Sequence, residues 1–312
     1  MLLGAAPAVL GGCAWLAPPP QASALVASPP AGLPPRHELD AVPFFPQTPY
    51  HCGPAALATV LVHAGFAASP DLLADQVFLP AREGALQVEM LAGARRAGAL
   101  AVRLPGELGA LLQEVAAGQP AVVLQNLGLS FAPRWHYAVL VGYEFDTRQL
   151  VLRSGTTRRE AIGFTPFEHT WARGGHWAFA VSRPGQLPAT ASEAAAAEAA
   201  LGFDRTQAAP AARARVYDSV LARWPHNLVA RIGQGNARAA SGDWAGAAGS
   251  FQQAAERHDS AAAWHNLALA RHQLGEREAA RSAAQRALLR AEADEPTWRD
   301  AARKAVELTQ VP

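Results

Sequence analysis

The sequence has almost no excess of charge and few residues suited to metal or disulfide sites. Its 312 residues carry 27 basic and 26 acidic side chains, a formal net charge of +1. Proteins that bind the phosphate backbone of nucleic acids usually present a strongly basic face, which this composition does not indicate. Only two cysteines are present, and no run of residues has metal-ligand spacing or forms a phosphate-binding loop. We therefore expect no nucleic-acid partner, no metal and no other cofactor.

The amino terminus is apolar but too short to span a bilayer. The stretch MLLGAAPAVLGG has fewer residues than the about 20 that a transmembrane helix needs. It leads through Leu10, Gly11 and Gly12 to Cys13. This order resembles the bacterial lipobox, in which the cysteine carries the lipid after a signal peptide is removed. The resemblance implies that residues 1–13 are a lipoprotein signal peptide and that Cys13 is lipidated; an ordinary signal peptide or an uncleaved apolar tail is the alternative.

The residues after Cys13 bear on where the protein resides. Ala14 stands where an aspartate would by analogy favour the inner membrane, so we expect an exported protein, anchored by lipid in the outer membrane and facing the periplasm. Residues 14–37 contain the runs PPP, SPP and LPP, which predict a semi-extended tether. If Cys13 carries lipid, Cys52 has no partner within the chain. A lone thiol in an exported protein indicates an intermolecular bond or a reactive group.

Composition divides the rest of the chain into two predicted domains. Residues 38–185 mix helical and strand patterns, whereas residues 186–312 have alanine-rich helical periodicity. In the first domain helices precede strands, which favours an α+β fold with an antiparallel sheet over βαβ alternation. The predicted helices cover 54–63, 71–78, 87–97 and 107–117, and the predicted strands cover 121–125, 137–143, 149–153 and 177–182.

The second domain contains an internal repeat of about 34 residues. Two copies share small or apolar residues at an offset of 33, namely Gly242, Ala247, Phe251 and Ala254 in one copy and Gly275, Ala280, Ala284 and Ala287 in the next. An upstream copy spans about 190–226, with Tyr217 and Pro225 at its aromatic and closing positions, and residues 297–308 would cap the array.

This period resembles the tetratricopeptide repeat. Trp264 and Leu267 match the opening of its first helix, and Gly235 takes a small position in the earlier copy. Small residues are needed there because the two helices of a repeat cross closely. The resemblance implies an all-α domain that holds a protein partner or substrate; a plain alanine-rich helical bundle is the alternative.

Cys52 lies at the start of a predicted helix, in the stretch QTPYHCGPAAL. Unsatisfied N–H groups and the macrodipole at a helix amino terminus favour an anion, so we expect the thiol pKa to fall below its usual value of about 8.5. Pro54 suits the first helical turn, and Gly53 would leave space for a substrate. Gln47, five residues upstream, could aim its amide N–H at an oxyanion, where such a donor is worth about 3–4 kcal/mol. Tyr50 is expected to pack within the domain.

A nucleophilic thiol also needs a base. Two of the ten histidines stand directly before a predicted strand: His136 in RWHYAVLVGYE and His176 in GGHWAFAVS. Both would place an imidazole at a strand end, within reach of a nucleophile on a facing helix. Each alone is more commonly a surface or capping histidine.

The motifs QTPYHCGPAAL and HYAVLVGYE together resemble the bacteriocin-processing peptidases. These are papain-like cysteine proteases that cut leader peptides after a double glycine. The family has a glutamine, a cysteine that opens a helix and a His-aromatic-x-Val-x-x-Gly-Tyr strand in this order. Gln47, Cys52 and His136 occupy the matching positions, and Tyr143 ends the strand. The resemblance implies a papain-like fold over about residues 40–182, with Cys52 as nucleophile, His136 as base and Gln47 as oxyanion donor.

The third catalytic position departs from the family. An aspartate or asparagine that orients the imidazole is usual after the next strand, but Ser154 stands there. A serine oxygen can accept a hydrogen bond but carries no charge. Asp146 falls in a hairpin turn that we expect to be too far away, and Glu168 or His169 could substitute from the following helix.

Three functions follow from this pattern. The first is a lipid-anchored exported cysteine peptidase whose repeats bind a partner or substrate. The second is a catalytically impaired peptidase fold that acts as a scaffold through the repeats, which Ser154 favours. The third is an acyl transferase such as a transglutaminase, which would use the same Cys-His chemistry.

Overall fold

The first domain is built around one antiparallel sheet. The computed structural model describes residues 19–47, 50–206 and 209–310. Seven strands join in the order β4-β9-β5-β6-β7-β8, with β1 paired to β6, and every pairing is antiparallel; β2 and β3 form a separate hairpin. The strands are β1 (Arg36–Glu38), β2 (Phe78–Leu79), β3 (Gly84–Ala85), β4 (Leu100–Arg103), β5 (Ala121–Asn126), β6 (Trp135–Glu144), β7 (Gln149–Ser154), β8 (Thr157–Gly163) and β9 (Ala178–Ser182).

Helices cover both faces of this sheet. The helices of the first domain are α1 (Pro20–Ala27), α2 (Cys52–His63), α3 (Pro70–Val77), α4 (Gln87–Arg96), α5 (Leu108–Ala116) and α6 (Phe164–Arg173). One apolar core joins α2, α3 and α4 to the sheet, and a second joins α1, α5 and α6 to its other face. The predicted α+β fold with an antiparallel sheet is confirmed. The four predicted helices and four predicted strands are present, with ends shifted by at most two residues.

The start of the described chain contradicts the predicted tether. Residues 20–27 form α1, whose Ala22 and Leu25 are buried against α5 and α6. The buried carboxyl group of Glu168 accepts hydrogen bonds from the backbone N–H groups of Gln21 and Ala22. Arg36–Glu38 then adds a strand to the sheet. The prolines of this stretch predict an extended chain, but Pro20 begins a helix, where its missing N–H costs nothing. The predicted lipidation site Cys13 lies outside the described residues.

Strand β1 also explains one glycine of the histidine motif. A Cβ atom at Gly142 would lie 3.0 Å from the carbonyl oxygen of His37 on β1, which pairs with β6 at this point. The pairing of β6 with β7 shifts register between Leu140 and Gly142. A glycine therefore permits close approach of two backbones.

Residues 193–206 and 209–310 form helical hairpins, as the repeat predicted. The helices are α7 (Glu193–Asp204), α8 (Pro210–Arg223), α9 (Leu228–Ala240), α10 (Trp244–His258), α11 (Ala261–Gln273), α12 (Arg277–Ala293) and α13 (Arg299–Gln310). Gly242 and Gly275, 33 residues apart, have φ of +82° and +75° in equivalent turns. A Cβ atom at Gly235 would lie 2.4 Å from the Phe251 ring. Close helix crossing therefore requires the small residue, as predicted.

The two halves of the chain share a core. Leu100 and Val102 of β4 pack against residues of α7 and α8, so the repeats cover the edge of the sheet. Glu114 of α5 is fully buried and accepts hydrogen bonds from the N–H groups of Ala189 and Thr190 and from the Thr190 hydroxyl, at 3.0, 2.5 and 2.6 Å. The connection between the domains is therefore tied to helix α5.

Among the described residues, the helices are all too short or too polar to cross a membrane.

Candidate active site

Cys52 is the first residue of α2 and is half-buried. Its side chain packs beside the core formed by α2, α3 and α4. Gly53 has a different role from the predicted one. It is buried, and a Cβ atom there would lie 2.7 Å from Cβ of Ala85 and 3.2 Å from Sδ of Met90. The glycine therefore lets the β2–β3 hairpin approach the helix and does not open space for a substrate.

The imidazole of His136 is held by Ser154. His136 is the second residue of β6, and its Nε2 lies 2.9 Å from Oγ of Ser154, the last residue of β7. Ser154 is 7% exposed, so this hydrogen bond is shielded from water. When Nε2 carries the proton, it donates to Oγ and leaves Nδ1 as the free base. The serine thus meets the ring at the position predicted for the orienting residue, without a charge.

Burial sets the charge state of this pair. Burial raises the pKa of the Cys52 thiol above its ordinary value, and hydrogen bonds from the backbone at Tyr137, Gly53 and Cys52 itself only partly oppose it. Burial lowers the pKa of His136 from 6.5, an effect that the charge of Glu160 opposes and that of Arg134 reinforces. The depressed thiol pKa expected at a helix start is therefore wrong, because desolvation outweighs the backbone donors. At neutral pH the groups are a thiol and a neutral imidazole.

Gln47 lies at the same site. Its backbone N–H donates to the carbonyl oxygen of Gly155 at 3.0 Å, and its Nε2 is 3.5 Å from the carbonyl oxygen of Tyr137. The second distance is long for a hydrogen bond, so the amide has no strong partner on the protein side. The backbone of Gln47 is therefore held beside Gly155, while its side-chain amide keeps donor capacity for a group in the cleft.

One cleft of about 1130 Å³ brings these residues together. Gln47, Cys52 and His136 all line it, while Ser154 lies behind the imidazole. This volume is slightly above the range of about 300–1,000 Å³ that is typical of small-molecule sites, so the cleft has room for a larger ligand such as a short peptide segment.

Several cleft residues were not predicted from the sequence. The β2–β3 hairpin and the following turn, residues 82–87, form one wall. Trp135 and Arg134 contribute from the start of β6, and Tyr50, which was expected to pack inside, is 56% exposed and lines the cleft with φ of +68°. The neighbours of Cys52 and His136 in the sequence could have indicated Tyr50 and Trp135. The hairpin is distant in sequence and gave no signal.

The other candidates lie elsewhere. Asp146 and His169 are exposed, in a hairpin turn and on α6. Glu168 bonds to the start of α1. His176 packs edge-on against Trp171, with ring centroids 4.8 Å apart, and does not line the cleft. Among the residues considered as orienters, only Ser154 contacts His136. In the described part of the chain, no group of three or more His, Cys, Asp or Glu is arranged to hold a metal ion.

Comparisons with solved structures give weak likenesses to both halves. A structure described as a C39-like peptidase from Bacillus anthracis aligns at 20% identity and TM-score 0.39, covering 47% of this chain and 98% of that one. The peptidase domain of Streptococcus ComA, a bi-functional ABC transporter, aligns at 18% and 0.38, covering 45% and 98%. The Sgt2 TPR domain of Aspergillus fumigatus aligns at 23% and 0.31, covering 36% and 72%. No curated protein matches the chain.

The comparison with family models concerns the first domain alone. Residues 39–178 match a family model, and this segment contains α2, which begins at Cys52, and strands β2 to β8. Strand β1 directly precedes the segment, and β9 begins at its last residue. The resemblance predicted from Gln47, Cys52 and His136 is confirmed, because residues 39–178 match the Peptidase_C39 like family.

Proposed function

We propose that this chain is an exported cysteine peptidase, anchored to the outer membrane by lipid on Cys13. The observation that best supports the peptidase activity is the hydrogen bond of 2.9 Å between Nε2 of His136 and Oγ of Ser154, beside the cleft that Cys52 lines. It leaves Nδ1 as the nitrogen that can take the thiol proton. Pairing of a thiol with an oriented imidazole is the arrangement that nucleophilic catalysis needs.

The reaction would begin from the neutral pair. As Sγ of Cys52 attacks the substrate carbonyl carbon, the thiol proton passes to Nδ1 of His136. The carbonyl oxygen becomes an oxyanion that the Gln47 amide and the Cys52 N–H stabilise. Collapse of this intermediate breaks the C–N bond, and the imidazolium gives its proton to the leaving amine. Water then attacks the thioester with His136 as base, which releases the acid and restores the thiol.

A peptide library followed by mass spectrometry tests the activity without a known substrate. Wild type should generate new peptide termini that Cys52→Ala does not generate, with both proteins folded by circular dichroism. Equal products from both proteins, or no products from wild type while iodoacetamide still alkylates Cys52, would rule out the peptidase. Anchoring is tested separately, since lipidation adds mass to the peptide containing Cys13 and Cys13→Ser should remove it.

A scaffold is the second candidate, and the raised pKa of the Cys52 thiol favours it. In that case the repeats would be the functional part and would bind a protein partner. Cys52→Ala in the cell would then leave the phenotype unchanged, while changes on the repeats would abolish it. Loss of function with Cys52→Ala alone would argue for the peptidase.

A further inference from the structure

The loop between β5 and β6, residues 127–134, exposes apolar side chains beside the cleft. Phe131 is 85% exposed, and Leu127 and Leu129 are about half exposed at 44% and 48%. The loop contains no acidic residue and ends in Arg134. We call residues 127–134 the apolar loop. Large apolar side chains clustered on a surface commonly mark a site of interaction with a protein or a membrane.

The apolar loop is held in one shape. Asn126 is 2% exposed, and its Oδ1 accepts hydrogen bonds from the N–H groups of Gly128 and Arg134, both at 2.9 Å. The N–H of Leu127 donates to the carbonyl oxygen of Arg134 at 2.8 Å. A Cβ atom at Gly128 would lie only 2.3 Å from the carbonyl oxygen of Ala132. The fold therefore closes the base of the loop tightly and keeps Phe131 in solvent.

Helix α6 links the base of this loop to the beginning of the described chain. Glu168 accepts hydrogen bonds from the backbone at the start of α1, and the guanidinium of Arg173 donates to the carbonyl oxygen of Asn126 at 2.9 Å. Five residues separate Glu168 from Arg173, which is about 7.5 Å along a helix. Five residues also turn about 140° around the helix axis, so these two side chains leave α6 in different directions.

Other contacts join the start of α1 to the base of the apolar loop. The side chain of Gln21 donates to the carbonyl oxygen of Gly106, and Gly106 packs against His176 at the end of the turn after α6. That turn also lies against β5, since a Cβ atom at Gly174 would meet the carbonyl oxygen of Leu124 at 2.1 Å. The start of α1 and the base of the apolar loop are therefore linked through the turn that follows α6.

Chain length limits how far a lipid on Cys13 can be from the start of α1. Six peptide units connect Cys13 to Pro19, which precedes α1. A chain of that length reaches at most about 21 Å even when fully extended. Because α1 packs on the domain, no long tether follows it that would let the domain move away from an anchor.

We propose that the apolar loop docks on the lipid bilayer, with Phe131 and Leu129 entering the head-group region and Arg134 facing anionic lipids. The proposal rests on the lipid anchor of the proposed function, which supplies the surface within reach. Apolar and basic side chains together are typical of a surface that lies on a membrane. Pro133 and Arg134 also line the cleft, so docking would turn the mouth of the cleft toward the membrane. The substrate would then be a polypeptide segment close to the bilayer.

Vesicle binding by the full chain tests this surface. The chain carries Cys13→Ser so that no lipid can be attached, and it is mixed with vesicles of phosphatidylethanolamine and phosphatidylglycerol. Replacing Phe131 with Ser should lower the partition coefficient on the order of tenfold, because it removes the most exposed apolar side chain of the loop. Leu289→Ser is the matched control, since Leu289 is 60% exposed on α12, and it should change nothing. Residues 1–12 are the same in all three proteins and cancel in the comparison.

The outcomes separate this proposal from its alternatives. Unchanged partitioning of the Phe131→Ser protein, or an equal decrease with Leu289→Ser, overturns it. Reduced cleavage of soluble peptides without reduced vesicle binding also overturns it and assigns the loop to the substrate. A chain that partitions as proposed, but whose Cys13 is found without lipid in the cell, would leave the docking surface standing and refute the anchor.

Discussion

Buried polar side chains differ between the two regions of the molecule that they serve. Carboxylates bond to backbone where helices begin or connect, whereas a hydroxyl bonds to the imidazole at the cleft. Glu114 is fully buried and Glu168 is 1% exposed, and each accepts hydrogen bonds from backbone N–H groups that begin or connect helices. Ser154 is almost as buried, but it brings only a hydroxyl to His136. Carboxyl groups therefore fasten segments of the chain, while the imidazole receives an orienting bond without a charge.

The difference bears on how the cleft would react. A carboxylate beside the imidazole would stabilise its cation and favour a thiolate–imidazolium pair. With Ser154 in that position and burial acting on both groups, the neutral pair is the resting form. Ser154 therefore orients the imidazole of His136 but does not add the negative charge that an acidic residue would provide.

The largest expected effect is at the base. His136→Ala should lower kcat/KM on the peptides found with wild type by about a thousandfold, because general acid–base catalysis typically contributes a factor of that order. Alkylation of Cys52 by iodoacetamide at high pH should persist, which would show that the thiol is intact and accessible. Retention of more than about a tenth of the activity would mean that His136 is not the base.

The structural glutamates can be tested next. Glu114→Ala should lower the free energy of unfolding by about 3 kcal/mol, because it leaves buried donors at Ala189 and Thr190 without acceptors. Urea unfolding measures this, and Glu107→Ala, at an exposed position just before the same helix, serves as control. Equal midpoints for the two variants would show that the connection between domains does not depend on Glu114.

A smaller effect is expected when a carboxyl group replaces the hydroxyl that bonds to His136. Ser154→Asp places a negative charge beside His136, which should raise the imidazole pKa and stabilise the thiolate next to an imidazolium. We expect the midpoint for alkylation of Cys52 to fall by about one pH unit, equivalent to about 1.4 kcal/mol. Ser154→Asn, which is uncharged, is the control. A shift of the same size with asparagine would indicate that hydrogen bonding, and not charge, controls the thiol.

The sequence predicted the elements of the fold well because its signals were local. Short runs of mostly apolar residues indicated β5, β6 and β7, and small residues at an offset of 33 indicated the repeats. It failed at α1, where Pro20 begins a helix whose stability comes from Glu168, far along the chain. Strands β4 and β8 were also missed, since one is short and the other is an exposed edge strand.

For the site, spacing identified the groups but not their surroundings. Gln47, Cys52 and His136 reach one cleft as the motifs indicated, and Ser154 meets the imidazole. The predicted direction of the Cys52 pKa is wrong because a helix start lowers the pKa of a thiol, whereas burial, which raises it, is not visible in the local sequence. Burial depends on residues such as Ala85 and Met90, which pack near the helix start from other parts of the chain.

The pH dependence of Cys52 alkylation in the wild-type protein tests the central claim most directly. Iodoacetamide reacts with the thiolate, so the rate, measured by mass spectrometry of the peptide containing Cys52, follows ionisation of this group. A raised pKa means less thiolate at any given pH, and we expect the rate to rise with a midpoint above that of an ordinary thiol, which is about 8.5. A plateau reached below pH of about 7 would contradict the account, because it would reveal a thiolate–imidazolium pair already formed in the resting protein.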